Sequence, residues 1–270
     1  MSFSYSRVGT FKECPYKYKL KYVDKLEAKQ DMSPSNALFF GTATHEGIEH
    51  RSVEKALESY MSHYPEITDA HKVEMWKLQT ILPKAIEQIP EGEYEKVLRG
   101  KDGFVGFIDC IVSNEDGTVD ILDFKTSNNV SGYLKSGQLH IYKHYFEELT
   151  GKKVRNLYYV FIPKFKDVLN ESATQEDIDK IKQKIVDYFA DKDIRFEKVE
   201  FSEEQVESFL KMKDEMQSAT EFPKQYTTLC KWCDYKNFCS SKGADLSELT
   251  DESRKKYLEK GFEKEVSLFE

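Results

Sequence analysis

Phe104-Val105-Gly106-Phe107-Ile108-Asp109-Cys110-Ile111-Val112 and Val119-Asp120-Ile121-Leu122-Asp123-Phe124, joined through the turn residues Asn114-Glu115-Asp116-Gly117, read as two neighbouring strands of an antiparallel meander. Each strand sets an aspartate among apolar residues, where an unpaired carboxylate is expensive to bury. In hairpin neighbours Asp109 and Asp123 can lie side by side, and two anions held close repel unless a divalent cation sits between them. Lys125, two residues past Asp123, points to the same face because strand side chains alternate. Acid, acid and lysine on one edge make a place to bind a metal ion and orient a water. A lone Asp-x-Lys is a frequent accident, and an aspartate at a strand end is more often a turn former or a surface ion-pair partner. The company these residues keep therefore decides their meaning.

Working outward, Tyr94 to Leu98 is a third short strand, set off by Lys101-Asp102-Gly103. Upstream, the apolar residues of Gly41 to Tyr64 fall at helical spacing, and a second helix runs from about Ala70 to Gln88. Downstream come a helix over Gly137 to Leu149 and an apolar strand over Leu157 to Ile162. A helix over Glu176 to Ala190, a strand from Arg195 and a helix over Glu203 to Met216 follow. The class is α/β with a helical N-terminal half. No repeat or linker marks a boundary, so one domain is expected over 1–270. It divides into a helical part (36–92), a catalytic core (93–201), a cysteine segment (226–240) and a charged tail (241–270).

Gln138 and Tyr142, at i and i+4, share one helix face. Core packing alone would explain the tyrosine. His45, in Gly41-Thr42-Ala43-Thr44-His45-Glu46-Gly47, opens a helix near its first turn, where a cap or a packed ring is the plain reading and a metal ligand the sharper one. Taken together, His45, Gly106-x-x-Asp109, Asp123-Phe124-Lys125 and Gln138-x-x-x-Tyr142 follow the order and approximate spacing of the RecB-type PD-(D/E)XK nucleases, which the chain resembles. That resemblance implies a restriction-endonuclease-like αβββαβ core and metal-dependent hydrolysis of DNA phosphodiesters, most simply by an exonuclease. Asp109, Asp123, the Phe124 carbonyl and His45 would hold the metal. Lys125 would position or activate water, and Gln138 and Tyr142 would brace the site and the DNA backbone. The family's second acid is often Glu, so Asp123 is one methylene shorter. Carboxylates suit Mg²⁺ and Mn²⁺, and an imidazole ligand tilts the preference toward Mn²⁺.

Five cysteines are an odd number, a poor match to a complete disulfide framework. Cys230, Cys233 and Cys239 form a Cys-x2-Cys-x5-Cys cluster, and the fourth candidate thiol is Cys14 in Cys14-Pro15; Cys110, beside Asp109 in its strand, reads as packing. Four thiolates suit a structural Zn²⁺ or an iron–sulfur centre. The layout is similar to the iron–sulfur branch of these nucleases, the AddB-type recombination nucleases and the CRISPR-adaptation exonucleases. Likeness to that branch implies a [4Fe–4S] cluster on Cys14, Cys230, Cys233 and Cys239.

Forty basic against 48 acidic residues leave a net charge of −8, which excludes a generically basic nucleic-acid binder and favours a confined groove. Lys135 would flank the active site as a phosphate contact. Basic and aromatic residues also interleave between Arg7 and Tyr22, as a nucleic-acid stripe or a solvated helix face. No apolar run approaches a membrane span, so a soluble cytoplasmic protein is expected. DNA is the expected partner, with recombination or replication proteins and a second copy of the chain as further candidates. The alternatives are a non-catalytic DNA-binding or structural subunit that keeps the fold, and a zinc-stabilised hydrolase of another substrate. The presence of Asp109, Asp123 and Lys125 together speaks against the first.

Overall fold

The computed structural model describes residues 2–170 and 172–259. In chain order the elements are α1 (Tyr5–Glu13), α2 (Pro15–Tyr18), a π-helical turn (Lys19–Val23), α3 (Ala37–Glu49), α4 (Val53–Ser62) and α5 (Asp69–Gln88). Three strands follow, β1 (Glu93–Arg99), β2 (Val105–Ser113) and β3 (Val119–Thr126), then α6 (Val130–Tyr133), α7 (Gln138–Thr150) and β4 (Val154–Ile162). The chain continues through α8 (Gln175–Ala190), β5 (Arg195–Val199), α9 (Glu203–Ser218), a 3-10 turn (Thr228–Trp232), α10 (Lys236–Ser240) and α11 (Asp251–Glu259). It groups into two compact units, Met32–Glu207 and Phe3–Asp31 with the segment from Ser208 onward.

The larger unit is built on one five-stranded sheet in the order β1-β2-β3-β4-β5. Tight turns make β1/β2 and β2/β3 antiparallel; β3 and β4 are parallel, which demands the crossover supplied by α6 and α7. β5 returns antiparallel to β4. This is the α/β, restriction-endonuclease-like arrangement the sequence predicts. One core joins Phe39 and Ile48 of α3, Leu78 and Leu82 of α5 and Ile185 of α8 to Cys110, Leu122, Phe124 and Val160 of the sheet. Alternation along β3 turns Leu122 and Phe124 into that core and Asp123 and Lys125 to the opposite face.

The helical stretch expected over Gly41 to Tyr64 is two helices. Arg51 adopts a left-handed conformation (φ 46°) that ends α3, and the Ser52 hydroxyl accepts the Lys55 N–H to start α4. At the other end Asn36 accepts from Leu38 and Phe39, so α3 begins at Ala37 and His45 stands in its third turn, not its first. The capping signals, not the apolar spacing, set both ends.

Within the core, Lys77 donates to Glu74 at 2.6 Å and to the Asp167 carbonyl at 2.7 Å, with both side chains almost wholly buried. Burial pushes the Glu74 carboxyl above its ordinary value, and Lys77 opposes that shift. Lys77→Met is expected to cost about 3–5 kcal/mol in urea denaturation, because it leaves a buried carboxylate uncompensated.

The smaller unit has a core of Leu20, Leu26, Tyr235, Phe238 and Leu249. The Tyr235 hydroxyl donates to the Leu26 carbonyl at 2.5 Å, Ala28 bridges Leu249, and Glu27 N–H donates to the Ser253 hydroxyl at 2.7 Å. Part of the charged tail therefore closes back on the N-terminal segment; its residues 260–270 lie outside the described residues. Among the described residues no helix is long and apolar enough to cross a membrane.

Candidate active site

The site opens where two strands part. Pairing of β2 with β3 runs from Ser113↔Val119 to Cys110↔Leu122 and ends one step before Asp109 and Asp123. β2 continues alongside β1, and β3 alongside β4, so the aspartates flank a fork in the sheet. In place of a ladder bond, the Phe124 N–H donates to Asp109 Oδ2 at 2.6 Å. Asp109 Oδ1 faces His45 Nδ1 of α3 at 3.7 Å, and the His45 ring packs edge-on against Phe124.

Asp123 is 1% exposed and forms an ion pair with Lys125. The Lys125 ammonium also donates to Gln138 Oε1 at 3.4 Å and lies over the rings of Tyr133 and Tyr159. Gln138 Nε2 donates to the Tyr142 hydroxyl at 2.8 Å, so the two residues one turn apart on α7 act as a bracket behind the lysine. His45, Asp109, Asp123, Lys125, Gln138 and Tyr142 are thus brought into one place. The Phe124 backbone sits between the two acids. Lys135 is exposed on the turn 134–137 before α7, and no contact ties it to this cluster.

Burial pushes Asp109 up to about 7, opposed by the Phe124 N–H and by Lys125. Asp123 is likewise pushed up to about 7, by burial and then by the neighbouring Asp109, against the pull of Lys125. Burial alone would lower Lys125, but Asp123 and Asp109 outweigh it and hold the ammonium above its ordinary value. His45 is lowered, chiefly by desolvation, which favours the neutral imidazole that can ligate a metal. Two buried carboxyls and a neutral imidazole are a donor set that a divalent cation fits: it would neutralise the charge that burial now penalises.

The same shifts set a pH dependence. In metal-free protein each raised carboxyl binds more protons folded than unfolded between about pH 4 and pH 7, so stability is expected to fall as pH rises through that window. Urea midpoints in chelator should decrease from pH 5 to pH 8, and Asp109→Asn should flatten the decrease.

The glycine of Gly106-x-x-Asp109 has a steric cause. A Cβ there would stand 2.9 Å from the Phe104 ring and 3.1 Å from Tyr142. Phe104 is stacked on Tyr145 at 3.9 Å and has little room to yield. Gly106→Ala is expected to push Tyr142 off Gln138 and slow cleavage on the order of ten- to a hundredfold, measured as kcat/KM.

Sequence reasoning missed Glu95 of β1. Its carboxylate and donor atoms of His45 and Asp109 lie within 4.8 Å of one another. Glu95 falls between the pairs Tyr94↔Cys110 and Lys96↔Ile108, directly across from Asp109. Its left-handed backbone (φ 47°) breaks the alternation by which a strand residue could have been assigned a face.

In the smaller unit, Cys14, Cys230, Cys233 and Cys239 all line one cavity of about 210 Å³. Cys14 joins α1 to α2, Cys230 accepts the Thr227 N–H on its sulfur at 3.4 Å, and Cys239 is carried by α10. Burial raises the Cys233 and Cys239 thiols, with Lys17 and Lys224 respectively pulling the other way. Cys110 is buried in the sheet core, where burial pushes its thiol up to about 12.

A family model for the PD-(D/E)XK nuclease superfamily matches residues 2–240, and the chain belongs to that superfamily. Its fold is therefore that of a nuclease, with a nucleic acid as substrate; such nucleases usually use divalent metals. Among solved structures the chain is similar to an exonuclease, so assigned provisionally, from Eubacterium rectale, at 14% identity over 87% of each chain with a TM-score of 0.48. It is also similar to SSO0001, at 12% identity over 92% of this chain and 87% of that one, with a TM-score of 0.39. No curated protein matches.

Proposed function

We propose that the protein is a metal-dependent deoxyribonuclease, acting as an exonuclease in DNA recombination, repair or phage DNA processing. The fork carries this reading: two buried acids on parting strands, with Lys125 bracketed beside them. His45, Asp109, Asp123 and the Phe124 carbonyl would hold Mg²⁺ or Mn²⁺. When bound, the cation supplies charge neutralisation at the phosphodiester and lowers the pKa of water. Lys125, kept cationic by Asp123, acts as a hydrogen-bond donor that fixes the attacking water and faces the developing negative charge, rather than as a base. Gln138 holds the lysine, and Tyr142 holds Gln138. Gln138, Tyr142 and Lys135 would contact the DNA backbone.

End-labelled single- and double-stranded DNA incubated with Mg²⁺, Mn²⁺ or chelator tests the reading. Progressive release of label from an end, abolished by chelator, is expected. Intact DNA with either metal would overturn the nuclease, and internal cuts in circular DNA would replace the exonuclease by an endonuclease.

A [4Fe–4S] cluster in the cysteine cavity is the second part of the reading. All four thiols line one cavity, which supports a shared metal centre. A cytoplasmic location suits a nuclease that acts on DNA.

A further inference from the structure

We propose that Glu95 is a ligand of the active-site cation, completing with His45 and Asp109 a donor set that the nuclease motifs do not include. This rests on the nuclease reading above and adds to it a residue of its own.

Three observations converge on the assignment. Glu95 falls between the β1–β2 pairs Tyr94↔Cys110 and Lys96↔Ile108, level with Asp109 along the sheet. Donor atoms of Glu95, His45 and Asp109 lie within 4.8 Å of one another, close enough to share one ion. The third is electrostatic. Of the charged groups around Glu95, His45 attracts it while Glu46 and Glu49 of α3 repel it, and among the described residues no lysine or arginine pairs with it.

An exposed carboxylate of this kind is costly at a site built for a phosphodiester, because it repels the substrate's own anionic oxygens. A cation between carboxylate and phosphate turns that repulsion into attraction. The left-handed backbone at Glu95 fits this role, since it takes the side chain out of the strand's alternation and into the company of α3. A mixed imidazole and carboxylate set of this composition favours Mn²⁺ over Mg²⁺.

The test is Mn²⁺ binding to the full-length protein, read from loss of the free-ion signal in electron paramagnetic resonance, with DNA cleavage measured in parallel. Glu95→Gln keeps the shape and removes the charge, and its fold is checked by circular dichroism. Mn²⁺ affinity is expected to fall about 10- to 100-fold in Glu95→Gln. In Glu93→Gln, which removes a nearby carboxylate of β1 that belongs to no cluster of donor atoms among the described residues, it should fall no more than about 2–3-fold, and added salt should erase the loss. Wild-type affinity in Glu95→Gln, or equal losses in the two variants, would overturn the assignment while leaving the nuclease intact. A wild-type protein that neither binds Mn²⁺ nor cuts DNA would remove the nuclease reading and this one with it.

Discussion

Lys125→Ala is expected to abolish DNA cleavage, with kcat/KM falling by at least about 10³-fold. The ammonium is paired with Asp123 and held from three sides, by Asp123, Gln138 and the Tyr133 and Tyr159 rings. Alanine also strands the buried Asp123, so lost activity must be separated from lost fold. Asp109→Asn makes that separation. Its amide oxygen can still accept the Phe124 N–H, and it removes one of two anions that repel each other. Cleavage should collapse in Asp109→Asn while the thermal midpoint of the metal-free protein holds or rises. Full activity in either variant would refute the assignment of roles at the fork.

The second large effect concerns the thiols. Protein purified without oxygen is expected to be brown, with broad absorbance near ~400 nm from cluster thiolates. Cys14→Ser should bleach it and leave the smaller unit open to proteolysis. The reason lies in chain length: Cys14 and Cys230 are more than two hundred residues apart, and closing such a loop removes entropy worth on the order of 5 kcal/mol from the unfolded chain. Against that, the cluster that joins the N-terminal segment to the tail is small, with Leu20, Leu26, Tyr235, Phe238 and Leu249 as its buried members among the described residues. Limited proteolysis of wild type and Cys14→Ser, followed by mass spectrometry, reads the difference. Colourless protein carrying stoichiometric zinc would refute the cluster.

Much of the site is legible in the sequence because its chemistry is written at short range. The spacing of Asp109, Asp123 and Lys125 follows from a hairpin and from strand alternation, and Gln138 with Tyr142 from one helical turn. The five strands could be read for the same reason. What escaped depends on backbone states that composition does not announce. Arg51 and Glu95 both sit at positive φ without being glycine, so nothing in their identity signalled a helix break or a redirected carboxylate. The tail after Ser240 escaped because its few anchors, Leu246, Leu249 and Tyr257, are scattered among charges and have meaning only against Leu20 and Leu26.

The closing of Ala28 on Leu249 and of Glu27 on Ser253 also sets a schedule. A ribosome adding ~5–20 residues per second leaves the first segment waiting roughly 10–45 seconds for its counterpart. During that interval Leu20 and Leu26 are without their cover, and the enclosed Met32–Glu207 unit can fold ahead of them. The residues from Leu249 to Ser253 must therefore emerge before the stretch from Leu20 to Ala28 can be covered.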